Sequence, residues 1–197
     1  LSQEGNGDTM PQRLRELTGS SYIGVVHRLD LTTGGIMVYG LTKRAVAALT
    51  DAVRDRKLRK EYFSIVHGAP AESGELRDYL YHDVRTNKSF VASAARRGAK
   101  EAVLTYHTLA RNEDATLLHI CLQTGRTHQI RIQFASRQCP LYGDGKYGAR
   151  DHLNKIGLFA CGLSFAHPIT GKEMRFTAYP SRDEQPWALF PKETYQI

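Results

Sequence analysis

The chain has 197 residues, 41% of them hydrophobic and 24% charged, which is the balance of a folded globular protein rather than a disordered or fibrous one. No apolar run approaches the roughly 18 residues that a membrane-spanning helix needs, so a transmembrane reading is excluded. Twenty-seven Lys and Arg against 20 Asp and Glu leave a formal charge of +7, a surplus that points toward phosphate, most often on nucleic acid.

In chain order, residues 1–20 read as an N-terminal arm or loop remnant with a short helical piece at Gln12–Leu17, and residues 21–197 as one folded unit. Tyr22–Val26 and Gly35–Gly40 are expected as short strands on either side of the polar elbow Arg28–Gly34. Thr42 offers an N-cap, and Val46, Leu49, Ala52 and Val53 share one helical face, so a helix follows and ends in the basic run Arg54–Lys60. Strands are expected at Glu61–Val66, Val103–Leu109 and Thr116–Leu122. Gly125 opens a turn into a helix over Thr127–Arg137, with Ile130 and Phe134 four apart on one face. After a Gly-rich loop at Gly143–Gly148, Leu158–Phe165 and Met174–Ala178 form an expected antiparallel pair joined through Pro168-Ile169-Thr170-Gly171, and Trp187–Phe190 closes the end. The class is α+β, a mixed, mostly antiparallel β-sheet flanked by a few helices and loops.

Cys121, Cys139 and Cys161 lie far apart with no Cys-x-x-Cys, which suits a reducing cytoplasm, and the eight histidines show no ligand spacing. No metal and no cofactor are expected.

Three segments concentrate chemistry. In His27-Arg28-Leu29-Asp30, followed by Leu31-Thr32-Thr33-Gly34-Gly35, a carboxylate sits on an elbow whose glycines admit close backbone approach, although a lone loop Asp most often caps its own turn. Lys60-Glu61-Tyr62 opens a strand, where a Tyr is ordinarily half-buried core but can also stack on a nucleobase. Thr124-Gly125-Arg126-Thr127-His128-Gln129-Ile130-Arg131 places two arginines around a turn into a helix, Arg126 near the helix N-terminus where backbone amides favour an anion.

Together these segments resemble the RluA-type RNA pseudouridine synthases. His27–Gly35 is similar to that family's His-Arg-Leu-Asp signature, Lys60-Glu61-Tyr62 to its Lys-x-Tyr motif, Gly125–Arg131 to its Gly-Arg-Thr-His-Gln-Ile-Arg motif, and Gly143-Asp144 with Tyr147-Gly148 to its Gly-Asp-x-x-Tyr-Gly. His-Arg-Leu-Asp alone arises by chance in about one chain in a thousand, and four motifs in the family's order exclude coincidence. The His at position 27, where the sister branch typically has Gly, favours the RluA-type branch. The resemblance implies a pseudouridine synthase fold over residues 21–197 and isomerisation of uridine in rRNA or tRNA: the base leaves the ribose, turns, and reattaches through carbon. No redox change is needed. Asp30 is implied as the catalytic carboxylate, attacking the ribose or taking a proton from it, and Arg131 as its ion partner, favouring the charged form. Tyr62 is implied to pack against the flipped base and to take up the proton leaving its carbon 5; Arg28 is implied to fill the flipped base's place in the RNA. His27, Lys60, Arg126, His128 and the run Arg54–Lys60 belong to the implied RNA contacts, whose phosphate bonds set register. Asp144 and Tyr147 read as loop architecture. The implied partner is RNA, met by a cytoplasmic monomer.

The pattern departs from the family in three places. Gly34 stands where the signature usually has Ser, and Gln133 where many relatives carry His. The first twenty residues hold no counterpart of the family's opening strand with its Asn-Lys-Pro-type motif, so that strand and any accessory RNA-binding domain are expected to be missing. Competing readings are a non-catalytic RNA-binding module, a glycosidase using Asp30 and Glu61 as an acid pair, and a hydrolase at Ser164, whose Gly162-Leu163-Ser164-Phe165-Ala166 lacks the second glycine of a nucleophile elbow.

Overall fold

A computed structural model describes residues 9–196, so the first eight residues of the expected arm lie outside the described residues. Thr9 caps the helix α1 (Met10–Thr18), its side chain accepting from the Gln12 amide, and Gly19 ends it at φ 68°. The expected Gln12–Leu17 piece is thus a full capped helix, with no buried residue of its own.

The two short strands expected around the elbow are rearranged. Tyr22–Val26 contracts to β1 (Gly24–Val25), and Gly35–Gly40 is not one strand but two, β2 (Gly34–Gly35) and β3 (Tyr39–Gly40). β1 and β3 pair antiparallel as a small separate ribbon, whereas β2 joins the main sheet. One continuous strand cannot serve both sheets; Gly35, at φ 122°, makes the break. The helix α2 (Lys43–Arg54) follows as expected, with Thr42 Oγ1 accepting from the Ala45 amide at 3.1 Å.

The main sheet is built from β4 (Arg59–His67), β5 (Ser73–Asp83), β6 (Lys88–Ala92), β7 (Lys100–Arg111) and β8 (Ala115–Leu122), then, after the helix α3 (Gln129–Ala135), from β9 (Leu158–Ala166) and β10 (Glu173–Thr177). Its order is β10-β9-β4-β8-β7-β5-β6, every neighbour antiparallel, and β2 adds the one parallel pairing, against β9. The mixed, mostly antiparallel α+β architecture is the expected one. The hairpin of β5 and β6 had no counterpart among the expected elements.

Both faces of the sheet's centre are covered, so β4 and β8 are buried almost residue after residue. On one face Tyr62, Val66, Leu104, Leu118 and Ile120 pack with Ile130 and Phe134 of α3. On the other, Phe63, Ile65 and Leu117 pack with Trp187, Phe190 and Tyr195 of the C-terminal segment, which closes the end as expected. A third cluster joins Leu49 of α2 to Leu163 and Phe165 of β9. Helix α3 is shorter than the expected Thr127–Arg137, because His128 takes φ 55° and the chain is not yet helical there. Fully buried Gln133 ties α3 to β5, its Nε2 donating to Asp78 Oδ2 at 2.7 Å.

Candidate active site

The reacting geometry starts from one guanidinium. Arg131, on the first turn of α3 and only 8% exposed, donates through Nε and Nη2 to the two oxygens of Asp144, each at 2.7 Å, and through Nη1 to Asp30 Oδ2 at 3.2 Å. The fork with Asp144 fixes the guanidinium plane, so the remaining edge is aimed at Asp30. Burial alone would lower the Arg131 pKa, but Asp144 and Asp30 outweigh it and hold it above the ordinary value. The two carboxylates differ in access: Asp144 is sealed at 1% side-chain exposure, whereas Asp30 keeps 25%. The sealed one orients and the open one can react.

Each partner is held from a different part of the chain. Asp30 stands on the elbow, where its carbonyl accepts from the Thr33 amide and where β2 anchors the exit against β9. At Gly34, the position usually Ser in the resembled family, an added Cβ would press on the Phe159 ring at 3.2 Å. Asp144 sits in the Gly-rich loop, which contains a single 3₁₀ turn, Gly145–Tyr147. Asp151 closes that loop, its carboxylate accepting from the Gly143 and Leu153 amides and meeting His67 Nε2 at 2.6 Å.

Beside Asp30 lies a niche of about 80 Å³, bordered by Asp30, Tyr62, Lys60, His128 and Arg131. Tyr62 is buried at 6% exposure, and burial together with the Asp30 charge pushes its phenol well up. The niche adjoins a cleft of about 1530 Å³, larger than an ordinary small-molecule pocket and bordered by Arg28, Arg54, Arg56, Arg59, Lys60 and Arg126 against the carboxylates Asp30 and Glu61. A surface this long and cationic fits an extended polyanion.

Seven of the eight sequence-predicted residues, Asp30, Tyr62, Arg131, Arg28, Lys60, Arg126 and His128, border the niche; His27 borders only the wider cleft. His27 Nε2 accepts from the Val38 amide at 3.3 Å, and burial followed by the Lys60 charge lowers its pKa to about 4, so it braces the elbow as a neutral ring. Burial also lowers Lys60. Arg126 stands three residues ahead of α3 rather than on its N-terminus, and its Nε donates to the Glu101 carbonyl at 2.8 Å. Sequence reasoning missed the direct part played by Asp144, although the Gly-Asp-x-x-Tyr-Gly motif pointed to its loop.

Glu61 lies on the other side of β4 from Tyr62, where His119 Nε2 meets it at 3.1 Å and Arg175 at 3.8 Å. Glu61 and Asp30 border the same cleft but are held by separate partners, Glu61 by His119 and Arg175 and Asp30 by Arg131. Ser164 lies within β9 as a strand residue. Among the described residues no group of three His, Cys, Asp or Glu is placed to hold a metal ion, and no helix is long and apolar enough to cross a membrane.

Comparison with known proteins bears on the family and the fold. A family model described as RNA pseudouridylate synthase matches residues 6–136. An uncharacterized RNA pseudouridine synthase of Mycobacterium bovis is 36% identical over 165 residues, covering 80% of this chain and 53% of the relative. The ribosomal large subunit pseudouridine synthase D of Vibrio cholerae is 35% identical over 170 residues, covering 79% of this chain and 52% of the relative. The chain thus spans about half the length of the curated relatives it matches. Among solved structures, human RNA pseudouridylate synthase domain containing 4 superposes with a TM-score of 0.77 at 22% identity, covering 93% of this chain and 83% of that one. Human RNA pseudouridylate synthase domain containing 1 gives 0.76 at 19%, covering 91% and 76%. At those identities the structural likeness speaks for the fold.

Proposed function

The chain belongs to the RNA pseudouridylate synthase family, and from that membership and the site's geometry we propose that it isomerises uridine in RNA to pseudouridine, with Asp30 as the reacting carboxylate. The observation that carries the reading is an accessible Asp30 held 3.2 Å from a guanidinium that a second, buried carboxylate has oriented, on the border of a cation-lined cleft. As nucleophile on the ribose or as base toward it, Asp30 works as the carboxylate, and Arg131 Nη1 donates to one of its oxygens. The glycosidic C–N bond breaks and a C–C bond forms, a proton leaves carbon 5 of the base and the freed nitrogen gains one, so no electrons are exchanged with a cofactor. Tyr62, kept as a phenol by burial and by the Asp30 charge, suits packing against the base better than accepting its proton. Exposed Arg28 is free to take the place of the everted nucleotide. Arg54–Lys60 and Arg126 supply phosphate contacts that set register.

Residues 21–197 form the proposed catalytic unit, acting as a monomer in the cytoplasm and without a metal. Large-subunit ribosomal RNA is the first substrate to assay, since one relative is named ribosomal large subunit pseudouridine synthase D. The deciding experiment is Asp30→Asn. Pseudouridine formation is expected to vanish while RNA affinity stays within a few-fold, since phosphate contacts dominate affinity; a variant that converts uridine at the normal rate removes Asp30 from the mechanism.

A further inference from the structure

The Tyr147 hydroxyl is buried between two partners. The Ser89 backbone N–H donates to it at 2.8 Å, and His128 Nδ1 lies 2.8 Å away. An amide N–H can only donate, so the phenol oxygen accepts from Ser89, and the nearest acceptor for its single hydrogen is Nδ1 of His128. Were the imidazole proton on Nδ1, the phenol hydrogen would have to turn from the ring nitrogen 2.8 Å away to Ser89 Oγ, which also lies beside the hydroxyl but whose own proton is committed to the Thr127 carbonyl. Nδ1 is therefore the acceptor, and a neutral His128 carries its proton on Nε2. Burial favours the neutral ring, lowering the His128 pKa.

The same hairpin fixes where the ring points. Ser89 Oγ donates to the Thr127 carbonyl at 2.7 Å, pinning the backbone just before His128, which holds φ 55°. His82 packs edge-on to the imidazole at 6.2 Å between centroids. Arg131 meanwhile lies over the Tyr147 ring at 5.0 Å, so one tyrosine touches both the guanidinium and the imidazole of the site. Among the described residues Nε2 of His128 has no partner and is not one of the sealed polar atoms, and His128 borders both niche and cleft.

We propose that Tyr147 is a positioning residue that locks His128 as its Nε2–H tautomer, and that this N–H donates to the carbonyl that uracil carries where cytosine carries an amino group. The second part rests on the uridine reading above. A fixed donor meets an acceptor in uracil and a second donor in cytosine, so the wrong base leaves a polar group unpaired.

Long-range proton–nitrogen correlation spectra of the full chain with ¹⁵N-labelled histidine at pH 7.5 test the first part. The expected signature for His128 is protonated Nε2 and unprotonated Nδ1, and Tyr147→Phe is expected to convert it to a mixture of tautomers. Protonation at Nδ1 in the wild type, or an unchanged signature in Tyr147→Phe, overturns the positioning role. For the second part, His128→Leu is expected to lower kcat/KM for pseudouridine formation about 10–100-fold, while His128→Gln, which keeps an N–H donor, stays within a few-fold. A His128→Leu enzyme with wild-type kcat/KM overturns the donor role. Should that variant fail to fold by circular dichroism, 4-thiouridine at the target position probes the same bond with the wild type: sulfur accepts poorly, a fall of about tenfold is expected, and an equal rate overturns it. A wild type that forms no pseudouridine in any RNA removes the activity reading and the donor role with it, while the spectra still decide what Tyr147 does.

Discussion

Asp30 and Asp144 are the same residue type on the same guanidinium, and surroundings alone give them different work. The two-point grip of Asp144, out of water, makes Arg131 a fixed object, so the third contact with Asp30 is made without ordering a free side chain. His27 shows the opposite device, a ring kept neutral by its neighbours. Its Nε2 accepts from the Val38 amide and its Nδ1 is buried without a partner, so a second proton would face a donor it cannot satisfy. With a folded pKa of about 4 against 6.5 unfolded, the unfolded chain binds the proton first as pH falls. Stability is therefore lost between about pH 6.5 and pH 4, by about 3 kcal/mol from this group, and the loss levels off below. Urea midpoints at pH 7.5 and 4.5 check this: His27→Gln is expected to lose distinctly less stability on acidification than the wild type, and equal losses would count against it.

Among elements, the elbow depends on the pairing of β2 with β9. A Cβ at Gly35 would lie 2.3 Å from the Ala160 carbonyl oxygen, and the residue holds φ 122°. Gly35→Ala is expected to cost about 2–3 kcal/mol of stability in urea titrations and to slow pseudouridine formation by displacing Asp30; a variant of unchanged stability would mean the strand tolerates a shift. This pairing could not be read from residues 22–40, because what divides the segment between two sheets is β9, over a hundred residues away. The β5–β6 hairpin escaped for another reason. In β5 the buried leucines, Leu76 and Leu80, stand four apart among charges, a spacing that fits a helix as well as a strand packed on one face only. Helix α2 and the β9–β10 pair were legible because cap, periodicity and turn residues all lie within the elements themselves.

For the molecule as a whole, a sheet covered on both faces supplies rigidity, and the basic run after α2 faces the cleft together with Arg28 and Arg126. Binding to single-stranded RNA is expected to weaken with salt by a log–log slope of about −0.7 per phosphate contacted, so engagement of three or more of the six cations gives a slope steeper than about −2. Fluorescence anisotropy across a salt series measures it, and a flat profile would argue against a polyanionic ligand. The order of amino acids alone determined the class, the basic character and which short motifs carry chemistry, since those are properties of composition and of neighbours along the chain. The motifs implied that Asp30 pairs with Arg131; only the tertiary structure decided the geometry of that pair across 101 positions, that Asp144 orients it, and that Glu61 meets His119. A hydrogen bond depends on distance and direction in space, and for partners so far apart in the chain both are set by how sheet and helix pack.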